Sequence, residues 1–476
     1  MVSPVDSFGK KPRPLFVRIA MWILPSLLVV FIAAFFYVRS SLNTYLNGPA
    51  FRQLLGHLTS QQLNARCDYE PFHFSATTID ADAFRAQGTE KAAFSQLELD
   101  KIHTTINLGA LWSRVLQINE VNIARLQISL GHTGAPPVPE GEIGVVPDQT
   151  PKPSSGPSRF AWLSPKLDLR KVIVQDTNVI WGENTPQVGS MKGSTVTVKP
   201  DGDNAWNIAL QSGTISQKGG PDLMLDHLNL RYENPVVIIS DGLLKFPPGG
   251  DIELAGKVNT EKSLDAQIKI NGIPIKPFLP PDTQSKLKGG KVFADIRVSG
   301  PMPVQTPPEV SGSGRLEGSD IEGFPALDFI AKFTRSPQYR KIRLDKASAD
   351  FLYSGKKVTV SNIVIESRGL VFVQGGFVIN NSNINGTFEI GVPHDLVKWL
   401  PGLEAKVFTV SRANYRWTTM HVTGPLKNPQ EDLKPRIELA LAMSAVDMVE
   451  GAAKIVPKAP EVPKKLLDGI VKPIFK

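Results

Sequence analysis

Histidine and cysteine are the side chains of this sequence that most often bind metals or act as nucleophiles. Seven histidines are spread along the chain, and no two have the spacing that puts two ligands on one helical turn or one strand. They stand at positions 57, 73, 103, 132, 227, 394 and 421. The single cysteine, Cys67, has no histidine beside it in the sequence. We therefore predict no metal site, and a structural role for Cys67.

Motifs for covalent catalysis and phosphate binding are also absent from the sequence. It has no GxSxG elbow, and the glycines within 312–318 miss the spacing of a dinucleotide-binding loop. Within 250–258 the P-loop spacing fails, with Val258 where Ser or Thr is needed. Asp80 and Asp82 fit a solvated strand face. The sequence predicts no catalytic residue, no cofactor and no enzyme, although a hydrolase assembled from distant segments stays open as a third reading.

The net charge of +8 suggests a nucleic-acid-binding protein until its distribution is considered. Residues 1–18 carry four basic residues and one acid, and residues 434–476 carry eight basic residues and five acids. Only +2 is left for the long middle of the chain, so the sequence lacks the basic surface that phosphate backbones require. We predict no nucleic-acid partner, and attribute both basic ends to proximity to a membrane.

One segment near the N-terminus predicts a membrane anchor. Residues 19–38 contain no charge, and as a helix they would span about 30 Å, the thickness of the hydrocarbon core of a bilayer. Four basic residues precede them within 1–18, which predicts a cytoplasmic N-terminus and the bulk of the chain outside. A cleaved signal peptide is the alternative. The bulky residues 35–37, which occupy the place of small cleavage-site residues, favour an uncleaved single-pass anchor.

The rest of the sequence has the pattern of strands with a few short helices. Residues 49–63 carry apolar side chains at helical spacing and predict a helix that caps the neighbouring sheet. From 72 to 130, and again from 167 onward, apolar residues alternate with polar ones at the period of a strand. Residues 131–159 contain seven Pro and five Gly and predict a surface loop. Without regular helices between the strands, nucleotide-binding βαβ units are excluded.

Two runs alternate most clearly, and their apolar residues are our candidate functional residues. Polar or charged residues separate the apolar ones within 264–270, and the same pattern recurs within 292–298. Such strands place one face against an apolar partner and the other in water. The candidates for an apolar binding face are Leu264, Ala266, Ile268, Ile270, Val292, Ala294, Ile296 and Val298.

The C-terminal part of the sequence predicts further helices. One is expected at 326–333, and 437–449 is apolar almost all round, which indicates a buried helix or a misread strand. The tail predicts a basic amphipathic helix with its lysines off the apolar stripe, which could dock on the sheet end or contact a membrane or partner protein. Its stripe consists of Leu466, Leu467, Ile470, Val471, Ile474 and Phe475.

Three segments together resemble the AsmA-type family of bacterial envelope proteins, which includes AsmA and TamB. The anchor and the strands ending in INEVNIARLQISL are similar to its N-terminal region. Residues 275–300, IKPFLPPDTQSKLKGGKVFADIRVSG, resemble its motif of a short helix followed by glycine-started strands. The C-terminal domain of the family is the most specific likeness, from SGSGRLEGSDIEGFPALDFIAKF to HVTGPLKNPQEDLKPRI. The Pro-rich loop 131–159 and the short middle region depart from the larger members.

The resemblance implies a mainly β fold: a single transmembrane helix, then a long curled antiparallel β-sheet, groove-like or taco-like, with short capping helices. It also implies a periplasmic protein of the inner membrane that handles phospholipids in outer-membrane biogenesis, with envelope proteins as possible partners of the C-terminal helix. The alternative is a scaffold or assembly factor whose sheet is a closed core. The expected segments are 1–18 cytoplasmic, 19–38 transmembrane, 40–130 first β segment with its capping helix, 131–159 loop, 160–310 middle sheet, 311–435 C-terminal β domain and 436–476 helical tail.

Overall fold

The structure is a computed structural model of the chain. It describes residues 63–131 and 166–443, together with Gly48, Gly56, Thr59 and Ser60. Gaps within the two ranges lie at 76, 90–91, 93, 108, 111–114, 184, 186–187, 203, 280, 303–305, 323–330, 332–335 and 399–400. The chain divides into two compact units, unit 1 (Met1–Gly219) and unit 2 (Gly220–Lys476).

The described part of unit 1 consists mainly of strands, and the mainly β prediction is confirmed here. Its strands are β1 (Ala65–Tyr69), β2 (Phe72–Ser75), β3 (Thr78–Gly88), β4 (Phe94–Asn107), β5 (Val115–Leu130), β6 (Lys166–Leu169), β7 (Val172–Trp181), β8 (Gly189–Pro200), β9 (Ala205–Gln211) and β10 (Thr214–Gln217).

Unit 2 is also mainly β, with short helical elements between its strands. The strands are β11 (Leu223–Glu233), β12 (Val236–Lys245), β13 (Asp251–Asn259), β14 (Ser263–Pro274), β15 (Leu287–Pro301), β16 (Glu309–Glu322), β17 (Lys341–Arg343), β18 (Lys346–Ser354), β19 (Lys357–Ser367), β20 (Val371–Asn380), β21 (Asn383–Pro393), β22 (Val410–Arg412), β23 (Tyr415–Pro425) and β24 (Gln430–Glu431). The helical elements are the 3-10 turns Lys276–Phe278 and Pro337–Arg340, α1 (Pro281–Gln284), α2 (His394–Val397), α3 (Pro401–Lys406) and a helical segment over 433–443.

The sheet of unit 1 is antiparallel except at β5, where the prediction of an antiparallel sheet is wrong. β5 pairs in parallel with β6 and then with β7, so that Val121 stands opposite Val172 and Ile128 opposite Val179. A parallel pair needs a connection long enough to bring the chain back to the start of the first strand. The proline-rich segment between β5 and β6 provides that length, so it joins two strands that are neighbours in one sheet.

Among the described residues of unit 2, the strands pair only antiparallel. Each strand pairs with the next from β11 to β16, then β16 with β18, β18 through β21 in sequence, and β21 with β23. Turns such as 259–263 and 380–383 therefore lie at one end of these strands, which we call the hairpin end. The connections that contain α1, α2 and α3 lie at the opposite end, the helical end.

The buried core of unit 2 is concentrated at the helical end. Val392, at the end of β21, packs with residues of α2, α3 and the helical segment 433–443. This cluster consists of Val392, Val397, Leu403, Val407, Phe408, Ile437 and Ala440. A second cluster joins Tyr339 and Ile342 to Val371 at the start of β20. Because both clusters lie where strands meet helices, the helices close one end of the sheet.

The predicted helices are confirmed where their residues are described. Gly56, Thr59, Ser60 and Leu63 are helical within 49–63, and Ala331 is helical within 326–333. Residues 433–443 form a helix that extends into the 437–449 segment, which excludes the strand reading for 437–443.

The anchor at 19–38 and the tail stripe at 466–475 lie outside the described residues. Within the described residues, no helix has the length and apolar content needed to cross a bilayer.

Candidate functional site

One face of the unit 2 sheet carries a continuous set of uncharged residues, which we call the apolar strip. Its members are alternate residues of neighbouring strands that stand opposite one another in the pairing register. From β11 to β15 they are Leu225, Leu228, Leu230, Tyr232, Val237, Ile239, Gly242, Leu244, Ile252, Leu254, Gly256, Val258, Leu264, Ala266, Ile268, Ile270, Ile273, Val292, Ala294, Ile296 and Val298. From β16 to β23 they are Val310, Gly312, Gly314, Leu316, Ala347, Ala349, Phe351, Tyr353, Val358, Val360, Ile363, Ile365, Val373, Gly375, Phe377, Ile379, Ile384, Gly386, Phe388, Ile390, Thr418, Met420, Val422 and Gly424.

The eight predicted candidates all belong to this strip, and the register brings most of them into direct cross-strand pairs. The pairs are Ala266 with Val298, Ile268 with Ile296, and Ile270 with Ala294. A register shift after Ile270 leaves Val292 opposite Ile273, while Leu264 stands opposite Gly300. Directly opposed apolar side chains of this kind contribute the stabilising contacts of an antiparallel sheet.

Most residues of the strip are half-buried, and the remainder are buried: Leu225, Gly242, Leu244, Ile273, Ala294, Ile363, Gly386 and Thr418. Ile268 and Ile296 are half-buried, as are the other candidates except Ala294, which is 9% exposed. Most of their sequence neighbours on the other face, such as Gln267, are exposed. Most of the strip is therefore less buried than a protein core and less exposed than an ordinary solvated surface.

Unit 1 provides an internal comparison, because a row of opposed residues there is fully buried. Ile123 stands opposite Val174, which stands opposite Val196 and then Leu210. These four side chains are 6%, 4%, 9% and 9% exposed. The alternating pattern is the same as around Ile268 and Ile296, so the difference between these two rows lies in what covers them and not in the sequence period.

The opposite face of the unit 2 strands carries ion pairs between neighbouring strands. The guanidinium of Arg297 donates to both carboxylate oxygens of Asp265, at 3.0 and 2.7 Å, from the strand next to it. Lys269 pairs with Glu253 at 3.6 Å, and the guanidinium of Arg315 lies 4.4 Å from the ring centroid of Phe293. Exposed pairs like these contribute little stability, and their charges are compatible with a face that meets water.

Two neighbouring glycines of the strip differ in whether the fold requires them. A Cβ on Gly312 would lie 2.2 Å from the carbonyl oxygen of Asp295, so no side chain fits. A Cβ on Gly314 would meet its nearest neighbour, the Cβ of Ala294, at an ordinary 3.8 Å. Glycine inside a strand weakens it, and marks places where a ligand or another chain approaches the backbone. None of the described residues comes close enough to Gly314 to exclude a side chain there.

Titratable groups of the described chain do not assemble into a metal-binding group of three or more. On the polar face of β11 and β12, His227 lies between two carboxylates: it contacts Asp226 through Nδ1 at 2.9 Å and Asp241 through Nε2 at 2.8 Å. Hydrogen bonds to Asp226 and then Asp241 raise the pKa of His227 above its ordinary value. Burial raises the pKa of the Cys67 thiol, which leaves less of the reactive thiolate.

Sequence reasoning missed most of the strip outside β14 and β15. Outside these two strands the alternation of apolar and polar residues is interrupted, and the common cause is the bulges of the sheet. Between Val360 and Ile363 the register shifts, and Asn362 lies in the left-handed region with φ 50°. Such a bulge changes the parity of the sequence pattern while keeping the apolar residues on one face. Counting one-residue slips as bulges would have extended the predicted face.

Comparison of the chain with models of known protein families, with curated proteins and with solved structures gives no match.

Proposed function

We propose that this protein is an AsmA-type envelope protein whose apolar strip shields or transfers the acyl chains of phospholipids. The observation that carries the proposal is the combination of an uncharged face with partial exposure. A sheet face of this kind needs an apolar cover, and acyl chains provide one. In this proposal residues 19–38 hold the chain in the inner membrane, and the sheet curls into a groove on the periplasmic side.

The dimensions of the strip suit a lipid tail. It crosses eleven strands, and a spacing of about 4.8 Å gives roughly 48 Å from β11 to β23. Half of a bilayer's hydrocarbon core, the depth that one acyl chain fills, is about 15 Å. Each buried methylene contributes about 0.8 kcal/mol, so a tail laid along the strip would be held without polar contacts.

The composition of the strip also indicates which part of a lipid it would hold. None of its members carries a charge, and the only hydroxyl groups are those of Tyr232, Tyr353 and Thr418. A charged headgroup has no partner there, and burying it unpaired would cost several kcal/mol. We infer that tails lie on the strip while headgroups stay in water, so that headgroup chemistry has little effect on binding.

A scaffold role is the second candidate, and exposed apolar residues near the C-terminal helix favour it. Leu439 and Met443 are 58% and 47% exposed on the helical segment 433–443. Exposed apolar side chains that lie close together can form part of a protein-binding surface. In this reading the strip would be part of a closed core and these residues would contact an envelope partner.

A lipid-transfer assay with the full chain tests the proposal. The protein is placed in donor vesicles that contain a fluorescent phosphatidylethanolamine, and the arrival of the lipid in acceptor vesicles is followed. We expect wild type and the control Gln267→Asp to accelerate transfer, and Ile268→Asp to abolish the acceleration. Transfer no faster than without protein would overturn the proposal, and so would full activity of folded Ile268→Asp.

A further inference from the structure

The hairpin end of unit 2 has a positive half and a negative half. The turns between β18 and β24 contain three lysines and no acid, whereas the connections between β11 and β16 contain three acids and one lysine. We call the first set the basic rim, and it consists of residues 354–357, 380–383 and 425–429. The second set consists of residues 233–236, 259–263 and 301–309.

The turns of the basic rim are neighbours in space. Lys357 stands opposite Asn380, which begins the next turn. The backbone N–H of Leu426 donates to the carbonyl oxygen of Ser382 at 2.8 Å, so the last turn contacts the middle one. From β19 to β23 there are three strand spacings, which amount to roughly 14 Å at about 4.8 Å each. The three lysines therefore belong to one patch.

The lysines of the basic rim are available to a partner. Lys356, Lys357 and Lys427 are exposed, and none of them forms an ion pair with a residue that the structure describes. Cations on the polar face of the same sheet are paired, as Arg297 is with Asp265. A group of unpaired charges of one sign attracts a surface of the opposite sign.

Apolar residues lie directly beside these lysines. Leu426, which precedes Lys427, is 49% exposed. The last row of the apolar strip lies one residue from the turns and is half-buried. This row consists of Tyr353, Val358, Ile379 and Ile384. The basic rim therefore combines unpaired cations with the open end of an apolar face.

This combination matches the surface of an anionic bilayer. Each lysine near such a surface strengthens binding about fivefold, and an exposed leucine beside it can enter the boundary between headgroups and acyl chains. Three lysines neutralise few phosphates of a nucleic acid, and Leu426 would have no part in binding one.

We propose that the basic rim docks unit 2 on an anionic bilayer surface through Lys356, Lys357, Lys427 and Leu426. The hairpin end then faces the bilayer, with the helical end away from it. The acids of the other half are repelled by the same surface, so the contact is made by the turns between β18 and β24. The docking does not depend on the proposed function, whereas entry of acyl chains into the strip at this rim rests on it.

A dye attached to the rim of the full chain tests the docking. In a Cys67→Ala background, an environment-sensitive dye is attached at Ser354→Cys, or at Ala405→Cys on the helical end as the matched control, since both positions are exposed. The protein is mixed with phosphatidylcholine vesicles that contain or lack phosphatidylglycerol. We expect a blue shift at position 354 only with phosphatidylglycerol, and none at 405. No shift at 354, or equal shifts at both positions, would overturn the docking.

Removal of charge identifies the lysines that carry the contact. The rim is neutralised by the triple variant Lys356→Gln/Lys357→Gln/Lys427→Gln. The same change of net charge is made at exposed positions toward the helical end by Lys276→Gln/Lys291→Gln/Lys346→Gln. We expect the first triple variant to lose the shift at position 354 and the second to keep it. A shift that survives in the first, or that is lost equally in both, would contradict the proposal.

Ionic strength provides an independent readout of the same contact. At about 1 M salt the screening length falls to about 3 Å, from about 10 Å at 0.1 M, so the shift at position 354 should disappear. A shift that salt leaves unchanged would contradict docking through the lysines. An equal shift with a short DNA duplex in place of vesicles would overturn the assignment to a bilayer.

The transfer assay separates this proposal from the proposed function. Ile268→Asp should keep the shift at position 354 while it loses transfer, because Ile268 lies on the strip and outside the rim. A wild-type protein that shows the shift but transfers no lipid supports the docking and overturns the proposed function. A protein that transfers lipid without the shift overturns the docking alone.

Discussion

Ile268 and Ile296 stand directly opposite each other across β14 and β15, and both are half-buried although they lie near the middle of the unit 2 sheet. In a closed β-sandwich, residues at such positions interdigitate with a second sheet and lose nearly all contact with water. Ile123 and Val174 show that behaviour in unit 1, at 6% and 4% exposure. At this pair in unit 2, the groove hypothesis and the closed-core hypothesis therefore predict opposite effects of a charged substitution.

The first prediction concerns charges placed on this pair. Ile268→Asp and Ile296→Asp should each lower the free energy of unfolding by less than about 1.5 kcal/mol, because a carboxylate on an open face remains hydrated. In a closed core the same change would cost about 3–5 kcal/mol or prevent folding, since the charge would be buried without a partner. Urea denaturation followed by circular dichroism measures the difference, with Gln267→Asp on the exposed face as control.

The second prediction distinguishes the two glycines of β16. Gly314→Ala should raise stability by about 0.5–1 kcal/mol, because alanine reduces the freedom of the unfolded chain and its Cβ meets nothing closer than 3.8 Å. Gly312→Ala should lower stability by about 1–3 kcal/mol, because its Cβ would clash with the backbone of Asp295. Thermal unfolding measures both. Lipid transfer should fall in Gly314→Ala despite its greater stability, and undiminished transfer would show that nothing approaches this backbone.

The third prediction tests the closure of the helical end. Ile437 is 9% exposed within the core cluster, whereas Leu439, two residues later in the same helical segment, is 58% exposed. Ile437→Ala should cost about 2–4 kcal/mol through lost contacts and a cavity. Leu439→Ala should change stability by less than about 0.5 kcal/mol. If chemical denaturation shows that both variants lose the same stability, this prediction is wrong and Leu439 is covered by another part of the protein.

The fourth prediction is a pH dependence at His227. Both ring nitrogens face carboxylates, so the protonated ring is favoured and the pKa is raised in the folded state. A raised pKa means that this stabilisation is fully present below the unfolded pKa of about 6.5 and is lost as pH rises through the folded pKa. We expect the stability gap between wild type and His227→Gln to shrink on going from pH 6 toward about pH 9. A gap that is constant or grows with pH would contradict this assignment.

The sequence was sufficient to predict the strands and the identity of one face. Within 264–270 and 292–298 the alternation is uninterrupted, and the structure pairs Ala266 with Val298 and Ile268 with Ile296. Elsewhere bulges such as the one at Asn362 break the alternation, so a strict two-residue period loses the face.

The pairing of β5 with β7 was beyond the sequence for a different reason. The alternation in a strand reports which residues share a face, but it does not report which strand lies alongside or in which direction. The proline-rich segment 131–159 therefore predicted only a surface loop, and gave no sign that Val121 and Val172 on either side of it are neighbours.

The exposure of the candidate site was not predictable from the sequence either. Ile268 in unit 2 and Ile123 in unit 1 lie in similar apolar patterns, yet only Ile123 is fully buried. Exposure depends on what packs above a face, which is a property of distant segments. The sequence also does not distinguish Gly312 from Gly314, because the close approach of Asp295 to Gly312 depends on how the neighbouring strand packs.

The most direct test of the central claim is site-specific photo-cross-linking in bacterial membranes. A benzophenone amino acid replaces Ile296 on the strip or Asp295 on the polar face of the full chain, and the products after illumination are analysed by mass spectrometry. The account predicts a diacyl phospholipid joined to the protein at position 296 and none at position 295. A protein that carries no phospholipid at position 296, or equal amounts at both positions, would contradict it.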